Sequence, residues 1–144
     1  MNRHDVTREL NALALPPDQF VVVGGAVLAL HGLRETEDID LVVSETLFAE
    51  LHARGWRAKT RPNGKPGLKH GIIEAYLDVN CASYERSTDS LLMHAENVNG
   101  VPAVDLHTLV NFKSGYARAK DLNDLALLNQ RLGIRPSPHA APSA

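Results

Sequence analysis

Two short β-rich runs, Phe-Val-Val-Val at 20–23 and Ile-Asp-Leu-Val-Val at 39–43, set the terms on which this chain can fold. A continuous β-branched run such as 20–23 suits a central strand covered on both faces. Between the two runs, Ala-Val-Leu-Ala-Leu at 26–30 is apolar on all sides and reads as a buried helix, entered through Gly24-Gly25. The order strand, glycine turn, buried helix, strand is therefore the centre of the fold. Upstream, a helix is predicted over about 3–14, with Val6, Leu10 and Leu13 on one face and Pro16-Pro17 ending it. Downstream, Ser44 is a good N-cap for a helix carrying Leu47, Phe48 and Leu51 and stopping near Gly55.

Beyond this unit, Trp56 to His70 holds Pro62 and Pro66 and predicts a hairpin-like excursion. From Glu74 the chain alternates: Glu74, Tyr76, Asp78 and Asn80 on one face, Ala75, Leu77, Val79 and Cys81 on the other. A short helix around 91–94, a strand at 100–104, and two helices, from Asp105 to about 117 and from about 121 to 132, complete the reading. Residues 1–133 make one α/β (α+β) domain, a small mixed β-sheet flanked by helices with further helices at the C-terminus. Residues 134–144 have the composition of a disordered tail. A lone cysteine, Cys81, rules out an intrachain disulfide or a cysteine-based zinc cluster and reads as a buried small hydrophobe. The N-terminus lacks the apolar core of a signal peptide. No apolar run approaches the ~20 residues of a membrane span. A soluble, cytoplasmic protein is expected, with no membrane partner.

Asp38 and Asp40 are out of place in such a chain. Two apart on a strand, they project from one face about 6.6 Å apart. Carboxylates at that distance repel by roughly 3 kcal/mol at an effective dielectric of ~20. Aspartate is also a poor strand residue. A cation between them would remove the conflict, and Mg²⁺ takes one or two carboxylates while completing its shell with water and phosphate. If the strand bearing Asp78 is a neighbour, a third carboxylate converges, and such a trio can hold two divalent ions for displacement at phosphorus. The alternative is a turn residue, an edge acid and a solvated acid. Gly24-Gly25 favours the first reading, since glycine lets a phosphate approach the backbone where a helix begins. Neither a dinucleotide fingerprint nor a Walker loop is present.

The stretch "VVVGGAVLALHGLRETEDIDLVVS" resembles the core signature of the DNA polymerase β-like nucleotidyltransferase superfamily. In that signature a strand, a Gly-Gly or Gly-Ser turn and a helix precede Asp-x-Asp, with a third acid on a later strand. Gly24, Gly25, Asp38, Asp40 and Asp78 match those positions. With Arg34 and Thr36 before the acids and "KSGYARAKDLNDLALL" near the end, the chain looks most like the AbiEii/MenT-type toxin nucleotidyltransferases and their relatives. The resemblance implies transfer of a nucleoside monophosphate from an NTP to an acceptor hydroxyl with release of pyrophosphate. It further implies that Asp38, Asp40 and Asp78 hold two Mg²⁺ ions (Mn²⁺ an alternative), with Asp78 also helping to deprotonate the acceptor. Gly24, Gly25, Arg34, Thr36 and Lys113 would meet the nucleotide. The acceptor is RNA (tRNA), a protein or a small molecule, and a cognate toxin or antitoxin partner is implied. A non-catalytic nucleotide- or partner-binding module is the alternative function.

Among the basic residues, Lys113 falls on the apolar stripe of its helix, seven after Leu106, so it either snorkels to the surface or points at an anion. Arg34 contacts triphosphate or pairs with Glu35 or Glu37. Residues 55–73 carry Arg57, Lys59, Arg61, Lys65 and Lys69 with no acid, which is either a solvated hairpin or a seat for an acceptor's phosphates. His31, His70, His94 and His107 show no metal-binding spacing and read as structural.

Overall fold

The computed structural model describes residues 1–80 and 83–134; Cys81 and the expected tail from 135 onward lie outside them. In chain order the elements are α1 (Arg3–Leu13), β1 (Phe20–Val23), α2 (Gly25–Leu30), β2 (Ile39–Val43), α3 (Glu45–Ala53), β3 (Arg57–Thr60) and β4 (Pro66–His70). They continue with β5 (Ile73–Tyr76), α4 (Thr88–Met93), β6 (Glu96–Val98), β7 (Val101–Ala103), α5 (Leu106–Tyr116) and α6 (Ala119–Leu132). The strands form one mixed sheet in the order β3-β4-β5-β2-β1-β7-β6.

The two β-rich runs lie antiparallel at its centre, Phe20 opposite Val43 and Val23 opposite Asp40. β1 is buried throughout, and in β2 every residue but Asp40 is buried. On one side β5 runs parallel to β2, with Asp40 beside Glu74. On the other, β7 runs parallel to β1. Between the central strands, α2 packs on both and on α1, and from Ala26 to Leu30 it is wholly buried. A continuous apolar cluster reaches from Val6 of α1 to Leu128 of α6.

Asn2 and Asp5 make a reciprocal capping box at 3.0 Å each way, and α1 ends on Ala14 in the left-handed region, ahead of the two prolines. Ser44 Oγ accepts from Leu47 N at 3.1 Å, and Asp105 from Thr108 N at 2.8 Å. No helix among the described residues is long and apolar enough to cross a membrane.

Two elements depart from the sequence reading. The alternation from Glu74 continues past Asp78, but β5 stops at Tyr76 because both neighbours run out there. Val42 and Gly67 are the last residues opposite it, as Ser44 turns β2 into α3 and β4 starts at Pro66. β6 was not foreseen, since Glu96 and Asn97 are polar. Its pairing with β7 is set by the turn at Asn99-Gly100, whose φ angles of 54° and 82° suit the tight hairpin turn that Asn-Gly favours.

Candidate active site

Residues directly opposite on paired strands send their side chains to the same face of the sheet. The registers therefore align Arg57, Lys69, Glu74, Asp40 and Val23 in one lateral row across β3, β4, β5, β2 and β1. Adjacent members are about 4.8 Å apart. Asp38, two before Asp40, is exposed, and Asp40 is half-buried. Neither carboxylate forms a hydrogen bond or salt bridge among the described residues. Burial above all, then the charges of Asp38 and Glu74, pushes the Asp40 carboxyl up to about 6, against partial relief from Lys120 and Lys59. Asp78, Asp105, Asp121 and Asp124, which have partners, all shift the other way.

The acids face a cleft of about 420 Å³ whose wall includes Gly24, Gly25, Arg34, Lys113, Arg118 and Lys120. The two glycines are required for different reasons. Gly24 has φ 67° and ψ −151°, a conformation essentially confined to glycine, and a Cβ there would lie 3.4 Å from Asp40 Oδ2. At Gly25 a Cβ would lie 2.7 Å from Arg34 Nη2, so the guanidinium rests directly on the turn.

Arg34 is fixed there by Asp124 of α6, Nε to Oδ1 at 2.7 Å and Nη2 to Oδ2 at 2.8 Å, and Nη1 donates to the Glu35 carbonyl at 2.7 Å. Its ion-pair partner is thus neither Glu35 nor Glu37 but an acid 90 residues away. Lys113 is buried, and the anion it meets is the protein's own: Asp124 at 2.8 Å and Asp121 at 3.4 Å. Arg118 closes the chain of charges on Asp121 at 2.6 Å, its guanidinium 4.8 Å from the centre of the Tyr116 ring. Burial alone would raise the Asp124 carboxyl, but the hydrogen bonds from Arg34 and Lys113 hold it below the usual range. The ending K…R-x-K-D-x-x-D is thereby accounted for, Asp121 and Asp124 being one turn apart on the same helix face. Lys120, exposed at the cleft, makes no salt bridge among the described residues.

Thr36 is buried, and its hydroxyl donates to the Asp38 carbonyl at 2.9 Å, shaping the loop that presents the acids. Asp78 does not join them. It lies four residues past Glu74 and two beyond the end of β5. There it pairs with Lys65 at 3.0 Å and Arg61 at 3.3 Å. The sequence reading put three acids on one face of one strand and its neighbour; the register places Glu74, not Asp78, beside Asp40. Glu74 is drawn toward Lys59 and Lys69, and no trio of His, Cys, Asp or Glu is assembled as a metal site among the described residues.

One solved structure, of a "putative nucleotidyltransferase" from Thermotoga maritima, superposes over 94% of this chain and 97% of its own, with 19% identity and a TM-score of 0.56. The two chains share a fold. No protein-family model and no curated protein matches this sequence.

The donor set fits a hard divalent cation. Asp38 and Asp40 offer carboxylate oxygens that no cation among the described residues occupies. A third carboxylate stands one strand away, and glycine keeps the space beside Asp40 open.

Proposed function

We propose that this chain is a divalent-metal-dependent nucleotidyltransferase, moving a nucleoside monophosphate from an NTP to an acceptor hydroxyl. The observation that carries the reading is the pair of unpartnered acids, one of them half-buried with a raised pKa, at the mouth of a cation-lined cleft. Asp38, Asp40 and Glu74 are the residues that would hold Mg²⁺ or Mn²⁺. The metal, when bound, supplies neutralisation of the charge on the transferring phosphoryl group. Gly24 and Gly25 give the triphosphate a wall without side chains, and Lys120 supplies an uncommitted positive charge beside it. Arg34 and Lys113 have their charge engaged by Asp124 and Asp121, so they shape the turn rather than grip substrate. The acceptor oxygen attacks the α-phosphorus, the bond to the β-phosphate breaks, and pyrophosphate leaves. Glu74 takes the part expected of Asp78, receiving the acceptor's proton.

A finer reading, a toxin–antitoxin component acting on tRNA, is supported by the Gly-Gly turn and the K…R-x-K-D-x-x-D ending. Incubation with each labelled NTP, Mg²⁺ and either total tRNA or cell protein tests both levels. Label should pass to one acceptor class and be lost in Asp38→Ala and Asp40→Ala. Absence of transfer, or transfer that survives both substitutions, would remove the proposal.

A further inference from the structure

Glu74 stands level with Asp40 but is held from the opposite side. Lys59 Nζ donates to Oε1 at 2.9 Å, Lys69 Nζ lies 3.7 Å from the same oxygen, and the Tyr76 hydroxyl donates to Oε2. The two lysines come from the two strands of the β3–β4 hairpin. Arg57 lies opposite Lys69, Arg61 and Lys65 lie toward the hairpin tip, and no acid occurs from 55 to 73. Charge on an outer strand discourages edge-to-edge pairing, which accounts for Arg57. It does not call for two ammonium groups on the one acid beside the unpartnered pair.

Resting on the nucleotidyltransferase reading, we propose that Lys59 and Lys69 hold Glu74 back from Asp38 and Asp40 until a nucleic-acid acceptor strand docks on the hairpin and its phosphates take over those ammonium groups. The released carboxylate has one stable place to go. Beside two other acids it is tolerable only with a divalent cation among them, so acceptor and metal bind with positive coupling. The hairpin is then both the acceptor's seat and the device that completes the metal site. The lysines are positioning residues, since they act through Glu74.

The test reads Mn²⁺ affinity of the intact protein by electron paramagnetic resonance, without nucleotide. Lys59→Met with Lys69→Met keeps the apolar stems and should tighten Mn²⁺ binding on the order of tenfold, the scale on which outer partners tune metal sites. A short oligothymidylate should tighten wild type comparably and the double variant no further. Adding Glu74→Gln should erase the gain. A gain that persists with Glu74→Gln is a general field effect of two lost charges and overturns the latch, as does no gain at all. Metal binding indifferent to Asp40→Asn instead overturns the metal site itself, so the two failures are distinguishable. Circular dichroism of each variant confirms the fold against which the affinities are compared.

Discussion

Asp40→Asn should stabilise the metal-free protein, and only above a threshold of pH. Burial, then Asp38 and Glu74, lifts the Asp40 carboxyl from 3.8 to about 6. The unfolded chain therefore releases this proton first, near pH 4, and between about pH 4 and 6 folding takes a proton up. Stability falls as pH rises through that window, and above it the whole penalty is present. At about 1.4 kcal/mol per pH unit the penalty is up to about 3 kcal/mol. Asparagine keeps the shape without the charge and removes it. For a chain of this size the variant should melt roughly 10 °C higher at about pH 8 in EDTA, with the difference vanishing near pH 4. Mg²⁺ should raise the wild type toward the variant and leave the variant unmoved. The assay is thermal unfolding of both proteins across pH, with and without metal. A difference flat in pH, or a variant that is less stable at about pH 8, would refute the description of Asp40 as a half-buried acid with no partner.

Lys113→Met leaves Asp121 and Asp124 buried with one cation fewer and should cost about 3 kcal/mol in urea unfolding, whereas Lys120→Met at the exposed rim should change stability by less than about 0.5 kcal/mol. Gly25→Ala drives a methyl into a guanidinium that Asp124 pins, and about 1–3 kcal/mol should be lost with nucleotide affinity. In a double-mutant cycle Arg34→Ala should absorb most of that loss, because the clash has no other partner within reach. Glu74→Gln should lower label transfer about a hundredfold, and Asp78→Asn should leave it within a few-fold of wild type; the reverse order would restore Asp78 as the third acid.

The central unit was legible because its residues leave few choices. A run of valines, a glycine pair and a helix apolar on every side can occupy only the middle of a covered sheet, and Ser44 and Asp105 mark helix starts by their own side-chain bonds. The acid that stands beside Asp40 was not legible for a reason equally local. Glu74 and Asp78 both occupy polar-face positions of one alternating run, and only the register with β2 separates them. That register is fixed by where β2 and β4 end, which alternation does not encode. The place of Lys113 on an apolar stripe left it either snorkelling to the surface or meeting an anion; it meets two, and both belong to the next helix. The spacing of Asp121 and Asp124 carried that signal, and the pairing of Arg34 with Asp124 carried none, since nothing in either neighbourhood names a partner 90 residues away.

That same pairing gives the molecule an order of assembly. Loop closure over 90 residues becomes favourable only when the packing around it is in place. Strands β1 and β2 with α2 can pair and bury their faces from residues within about the first third of the chain. The guanidinium on Gly25 cannot be held there until α6, the last described element to leave the ribosome, has docked. A growing chain can thus pair its central strands early, while its cleft is set late. An unfinished copy would carry the acids and the turn without the brace that sets them, so the geometry of the cleft is complete only when the fold is.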